Sequence, residues 1–115
     1  MNAVKVIVYP ASDASKTKAF FTELLGIEPY ADTPYYIGFK TGDVEIGLNP
    51  YAAQRGLTGA LAFVEVDDIE SALARLVTSG AEKVQDVTDV ANGLLTAIVK
   101  DPDGTLIGLR QQPKA

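Results

Sequence analysis

Hydrophobic positions along the chain switch between the period of a strand and the period of a helix. Val4-Lys5-Val6-Ile7-Val8-Tyr9 is rich in β-branched residues and stops at Pro10, which predicts a strand. Asp13 then opens a helical pattern. Ala14, Thr17, Phe20, Phe21, Leu24 and Leu25 fall at helical spacing, and Gly26 stands where a left-handed cap belongs. Tyr35–Lys40 predicts a second strand, Thr41-Gly42-Asp43 a tight turn, and Val44–Leu48 a third strand.

The pattern then restarts. Ala60–Val66 predicts a strand, and Asp67 or Asp68 caps a helix with apolar positions Ile69, Ala72, Leu73, Leu76 and Val77, closed by Gly80. Glu82–Val87 predicts a strand, followed by a loop through Asp89 and Asn92-Gly93. Leu94–Lys100 and Thr105–Arg110 are two more strands, joined by the turn Asp101-Pro102-Asp103-Gly104. The halves correspond in detail. Val6 precedes Asp13 by seven residues and Leu61 precedes Asp68 by seven. Ile46-Gly47-Leu48 recurs as Ile107-Gly108-Leu109, each time after a glycine-containing turn. The chain is therefore an internal duplication. We expect one domain over residues 1–115, with unit one at about 1–49, a linker at about 50–59 and unit two at about 60–112. The expected class is α+β: two tandem βαβββ units forming a curved mixed β-sheet cup, with helices on its outer face.

Composition narrows the chemistry. The chain has no Cys and no His, so disulfides, thiolate sites, a Cys nucleophile and the commonest general base and zinc ligand are all excluded. A net charge of −5 argues against tracking nucleic-acid phosphates. Hydrophobic residues make up 47%, enough for a core without staples. The longest apolar runs fall far short of the roughly 20 residues a bilayer demands. The first ten residues lack a secretory apolar core. A cytoplasmic protein is expected, with no membrane and no nucleic-acid partner.

Strand, Asp13, Ala19-Phe20-Phe21, Leu24-Leu25-Gly26, Val66-Asp67-Asp68-Ile69 and Asp101-Pro102-Asp103-Gly104, in this order and duplicated, resemble the vicinal oxygen chelate superfamily. That group includes glyoxalase I, bleomycin- and fosfomycin-resistance proteins and extradiol dioxygenases. The resemblance covers nearly the whole chain. It implies homodimers and, in the enzymes, a divalent metal held in the cup by His, Glu or Gln from both units. The first ligand position falls here on Val6, its repeat on Leu61, and the last-strand carboxylate on Gly108. The remaining position falls on Gly47 by the repeat, or on Glu45 by a match anchored on Asn49. At most one donor remains, so we expect no metal, no cofactor and no catalytic residues in the family's positions.

Strand alternation sets Val4, Val6 and Val8 on one face with Leu61, Phe63 and Glu65 as counterparts, while Ile7, Tyr9, Ala62 and Val64 face the helices. The candidate ligand-binding residues are Val6, Val8, Tyr36, Glu45, Gly47, Leu61, Phe63, Gly108 and Arg110. Each has a plainer reading. Glu45 either anchors a cationic ligand, pairs with Arg110, or is a solvated strand charge. Arg110 either meets an anionic group or marks an exposed strand end, and Glu65 divides the same way. Gly47 and Gly108 either give the cup room or relieve crowding where a sheet curves. Tyr30, Tyr35, Tyr36 and Tyr51 either line a pocket or dimer seam or simply pack. Asp101-Pro102-Asp103-Gly104 lacks the later ligands of a calcium loop and reads as a hairpin turn.

The expected function is metal-free binding of a small, partly apolar or aromatic molecule, including drug sequestration. Acidic charge favours a cationic ligand such as a basic antibiotic. Two other classes stay open. One is an enzyme of the same superfamily, of lyase or dioxygenase type, with an atypical site, or a metal-free one with a Tyr or Glu as acid or base. The other is a non-catalytic dimeric structural or regulatory protein.

Overall fold

The computed structural model describes Asn2–Lys114. The first strand β1 spans Ala3–Pro10, helix α1 Ala14–Leu25, β2 Ala31–Asp32, β3 Ile37–Thr41 and β4 Val44–Asn49. A short 3-10 turn at Ala53–Arg55 lies in the segment read as a linker. Then follow β5 Leu61–Glu65, α2 Ile69–Thr78, β6 Glu82–Ala91, β7 Leu94–Lys100 and β8 Leu106–Gln111. The class is α+β, with two units of strand, helix and three strands in tandem. One compact unit is Lys5–Leu61; the other takes in residues 62–114 with residues 2–4.

In the first unit the strands run in the order β2-β3-β4-β1. β1 pairs in parallel with β4, and β4 in antiparallel with β3. Asp13 caps α1 by accepting from the Lys16 amide, and Gly26 closes it at φ +70°. Phe21 on α1 packs with Ala11, Ile37, Phe39 and Leu48, with Tyr9 and Ile46 alongside. Fully burying a Phe or Leu of this kind stabilises by about 1.5–3 kcal/mol each.

The second unit repeats the scheme in the order β5-β8-β7-β6. β5 pairs in parallel with β8, and β8 in antiparallel with β7. Asp68, rather than Asp67, is the cap of α2, accepting from the Ser71 amide. The buried carboxamide of Gln111 adds a second cap, its Oε1 accepting from Ile69 N–H at 2.8 Å. Ile69, Ala72 and Leu73 of α2 cover Ala97, Val99 and Leu109 of the sheet, with Val64 and Ile107 beside them. Tyr9 and Val64 thus both face helices, as the alternation predicts.

The duplication is visible in the register. Val8 lies opposite Gly47 in the first unit, and Phe63 opposite Gly108 in the second. Three details differ from the sequence reading. β2 has only two residues, too few for any periodicity. Tyr35 and Tyr36 precede β3 instead of opening it. β6 continues to Ala91 with register shifts, where a loop through Asp89 is expected. The cause is the Asn92-Gly93 turn, with φ +49° and +94°, which pairs Ala91 with Leu94 and keeps the strands together. Asp89 Oδ2 accepts from the Gly93 amide at 3.0 Å and supports that turn. Among the described residues no helix is long and apolar enough to cross a membrane.

Candidate functional site

Ile37 and Phe39 point to the core of the first unit, so Gly38 and Lys40 point to the helix-free face of the same sheet. On β4, Ile46 and Leu48 face the core, so Glu45 and Gly47 share that helix-free face. Val6 and Val8 of β1 lie opposite Glu45 and Gly47 and line the same side. Val6 is buried and Val8 half-buried.

Two tyrosines reach over this face from the loops before β3. The turn Thr33–Tyr36 holds Tyr36 in place. Thr33 Oγ1 accepts from the Tyr36 amide at 2.9 Å, and the Thr33 amide donates to the Tyr36 carbonyl at 3.0 Å. Tyr30 is tied to the sheet by its amide, which donates to the Gly38 carbonyl at 2.9 Å. Both phenols then donate to one oxygen of Glu45. Tyr30 Oη reaches Glu45 Oε2 at 2.7 Å, and Tyr36 Oη donates to the same atom. The Lys40 ammonium lies 4.7 Å from the Tyr30 ring centre, within cation–π range.

The glycines permit this arrangement. A Cβ on Gly38 would lie 2.7 Å from Tyr30 Cε1 and 2.9 Å from Tyr36 Cε2. A Cβ on Gly47 would lie 2.6 Å from Tyr36 Cε1. In the second unit a Cβ on Gly108 would lie 2.6 Å from Phe63 Cε1. Gly47 and Gly108 therefore do not leave open room at their own positions, as one sequence reading has it. An aromatic ring already occupies the space above each.

Arg110 Nη1 donates to Glu65 Oε1 at 2.9 Å, across the parallel β5–β8 pair, and Gln112 Nε2 donates to the same oxygen at 2.7 Å. The pair is about a quarter exposed on each side. Glu45 is thus partnered by tyrosines and Arg110 by Glu65, in place of the Glu45–Arg110 pair that the sequence offers as one reading. Leu61 opens β5 and is buried. Tyr30, which the sequence reading leaves between pocket lining and plain packing, joins the site, and Gly38 is a site residue that the sequence reading does not select. The available signal was Gly38 standing two residues before Lys40 on the strand face that carries Glu45 in the neighbouring strand. Tyr35 and Tyr51 lie with ring centres 6.2 Å apart and are both exposed.

A divalent metal does not fit this residue set. Val6, Leu61 and Gly108 offer no side-chain donor, and the Glu45 carboxylate is held by two phenols. A catalytic zinc-type centre needs about three protein ligands. Among the described residues, no group of three or more His, Cys, Asp or Glu side chains gathers in a way that could hold a metal ion.

The model of the Glyoxalase/Bleomycin resistance protein/Dioxygenase superfamily matches residues 3–109. No curated protein matches the chain. Solved structures resemble it at low identity. A glyoxalase/bleomycin resistance protein/dioxygenase superfamily member from Vibrio splendidus 12B01 has TM-score 0.73 at 20% identity, covering 96% of this chain and 98% of that one. Methylmalonyl-CoA epimerase from Mycobacterium tuberculosis has TM-score 0.74 at 14% identity, covering 98% and 89%. The Mn(II)-bound glyoxalase from Novosphingobium aromaticivorans has TM-score 0.68 at 16% identity, covering 96% of this chain and 40% of that one. At these identities the likeness is one of fold.

Proposed function

The chain belongs to the Glyoxalase/Bleomycin resistance protein/Dioxygenase superfamily, and we propose that within it the protein binds a small, partly aromatic molecule without a metal. The observation that carries this reading is the convergence of Tyr30 and Tyr36 on Glu45 above Gly38 and Gly47. Flat rings with polar tips around one carboxylate, beside apolar Val6 and Val8, give the few fixed polar groups and apolar walls that small-molecule sites use. A carboxylate has roughly four lone-pair sites, so two phenols leave it capacity for a ligand's N–H or O–H. Sequestration of a drug-like molecule is one role such a site serves.

Calorimetric titration and thermal shift against a panel of aromatic and basic aromatic compounds test it. We expect saturable binding that Glu45→Gln weakens. A panel without heat or shift would overturn the proposal, as would stoichiometric metal in the purified protein.

A second reading follows from the same pair. A phenol donating to a carboxylate is a proton donor next to a proton acceptor, the minimum for acid–base work on a substrate. On that reading Glu45 removes a proton from a carbon acid and Tyr36 returns one. Solvent deuterium entering a carbon-acid substrate, and no longer entering with Glu45→Gln, would favour it over simple binding.

A further inference from the structure

We propose that the ligand of this site is an organic cation, and that Lys40 is a tethered competitor for its place. The inference rests on the binding reading above and assigns its ligand class. Lys40 and Glu45 are opposed across the β3–β4 pair, on the face that carries the tyrosines. Yet the Lys40 ammonium sits on the Tyr30 ring, 4.7 Å from its centre. The ring that donates its hydroxyl to Glu45 therefore already receives a cation on its face. The phenol-to-carboxylate bond supports this, because pushing electron density toward the ring makes its face a better seat for positive charge. Tyr36, Tyr30 and Glu45 together present two ring surfaces and one anion, the combination that recognises alkylated ammonium groups. The net charge of −5 draws cations toward the protein.

Lys40 is exposed, on a flexible four-carbon stem, and is bound by one weak contact. An incoming cation displaces it into water at little cost. Until then it occupies the ring, which any ring-seated ligand must clear, and it also repels a like charge, so it lowers affinity for cations more than for neutral ligands. That makes Lys40 a specificity-determining residue, one that sets a threshold for how strongly a cation must bind.

The test uses an isosteric pair, (4-hydroxyphenyl)trimethylammonium and 4-tert-butylphenol, titrated by calorimetry into the wild type, Lys40→Met and Lys40→Arg. The cation should bind the wild type more tightly than the neutral isostere. Lys40→Met should tighten the cation about two- to tenfold and the neutral probe distinctly less, since the cation gains from both the vacated ring and the lost like charge, each of them small. Lys40→Arg keeps a cation on the ring and should match the wild type. Binding of the probes with Lys40→Met equal to or weaker than wild type for the cation would overturn the role of Lys40 and leave the binding site standing. Tighter binding of the neutral isostere than of the cation by the wild type would overturn the cation assignment. Binding of neither probe by any of the three proteins would overturn both this inference and the reading it rests on.

Discussion

The ring of Tyr36 lies directly over Gly47, in the space that a side chain at that position would take. An ideal Cβ on Gly47 would sit 2.6 Å from Tyr36 Cε1. The same relationship recurs in the other unit, where a Cβ on Gly108 would sit 2.6 Å from Phe63 Cε1 and 2.8 Å from Phe63 Cγ. The two differ in how the ring can respond. Tyr36 meets Gly47 with the far end of its side chain, which can swing away once its bond to Glu45 is given up. Phe63 meets Gly108 close to the root of its ring, where relief requires a change at χ1. Gly108→Ala should therefore cost about 1–3 kcal/mol, the range for an overpacked site, and Gly47→Ala less. Urea unfolding of both variants checks the order. In a Phe63→Ala background Gly108→Ala should cost much less than in the wild type, because the clash is removed.

Truncating the phenols separates stability from binding. Tyr36→Phe keeps the ring over Gly47 and deletes only the donor to Glu45. A half-buried carboxylate then loses one of its two phenol partners, which should cost about 1 kcal/mol, with solvent making up part of the loss. Tyr30 is exposed, so Tyr30→Phe should cost less in stability and show mainly in ligand affinity. Equal losses of stability for the two variants, read by thermal melting, would mean that the exposure of the two tyrosines does not govern their contribution.

Much of the fold is legible in the sequence, and the reasons are local. The caps Asp13 and Asp68, the closing Gly26, and the helix-facing side chains of Tyr9 and Val64 all follow from short-range periodicity and turn chemistry. The failures are long-range or depend on a partner. Asp89 and Ala91 carry no strong strand signal, yet they pair with Leu95 and Leu94 because the Asn92-Gly93 turn holds β6 against β7. Tyr36 looks like a strand residue by composition, but the Thr33 turn lifts it out of β3 and aims its ring at the neighbouring strand. A glycine in a strand signals that something comes close, without saying what. At Gly38, Gly47 and Gly108 the visitor is an aromatic ring, and only the fold brings it there.

Helix α2 has two N-terminal acceptors, and they should not weigh equally. Asp68 accepts from the Ser71 amide at 3.2 Å at an exposed position. Gln111 Oε1 accepts from the Ile69 amide at 2.8 Å and is buried. Asp68→Ala should cost about 1 kcal/mol, the usual value for a lost cap. Gln111→Leu removes the acceptor and leaves the Ile69 amide orphaned away from water, which costs about 1–3 kcal/mol. Hydrogen exchange at Ile69 discriminates: its amide should lose protection in Gln111→Leu and keep most of it in Asp68→Ala.

Asp86 makes an assignable contribution to stability in acid. Its carboxyl is held below the usual range, first by the amide of Val87, which donates to Oδ1 at 2.8 Å, and then by Lys83, whose ammonium reaches Oδ2 at 3.1 Å. A group with a lowered folded-state pKa contributes stability above its unfolded value, about 3.9 for Asp, and that contribution fades as pH falls through the folded value. Asp86→Asn should therefore lose a little stability at neutral pH relative to the wild type, with the difference vanishing at strongly acid pH. The order of causes gives a sharper check. In Lys83→Met the Val87 amide remains, so the Asp86 carboxyl, followed by carbon NMR, should titrate higher than in the wild type and still below an unfolded-state Asp. A full return to the ordinary value would make Lys83, and not the backbone amide, the main cause.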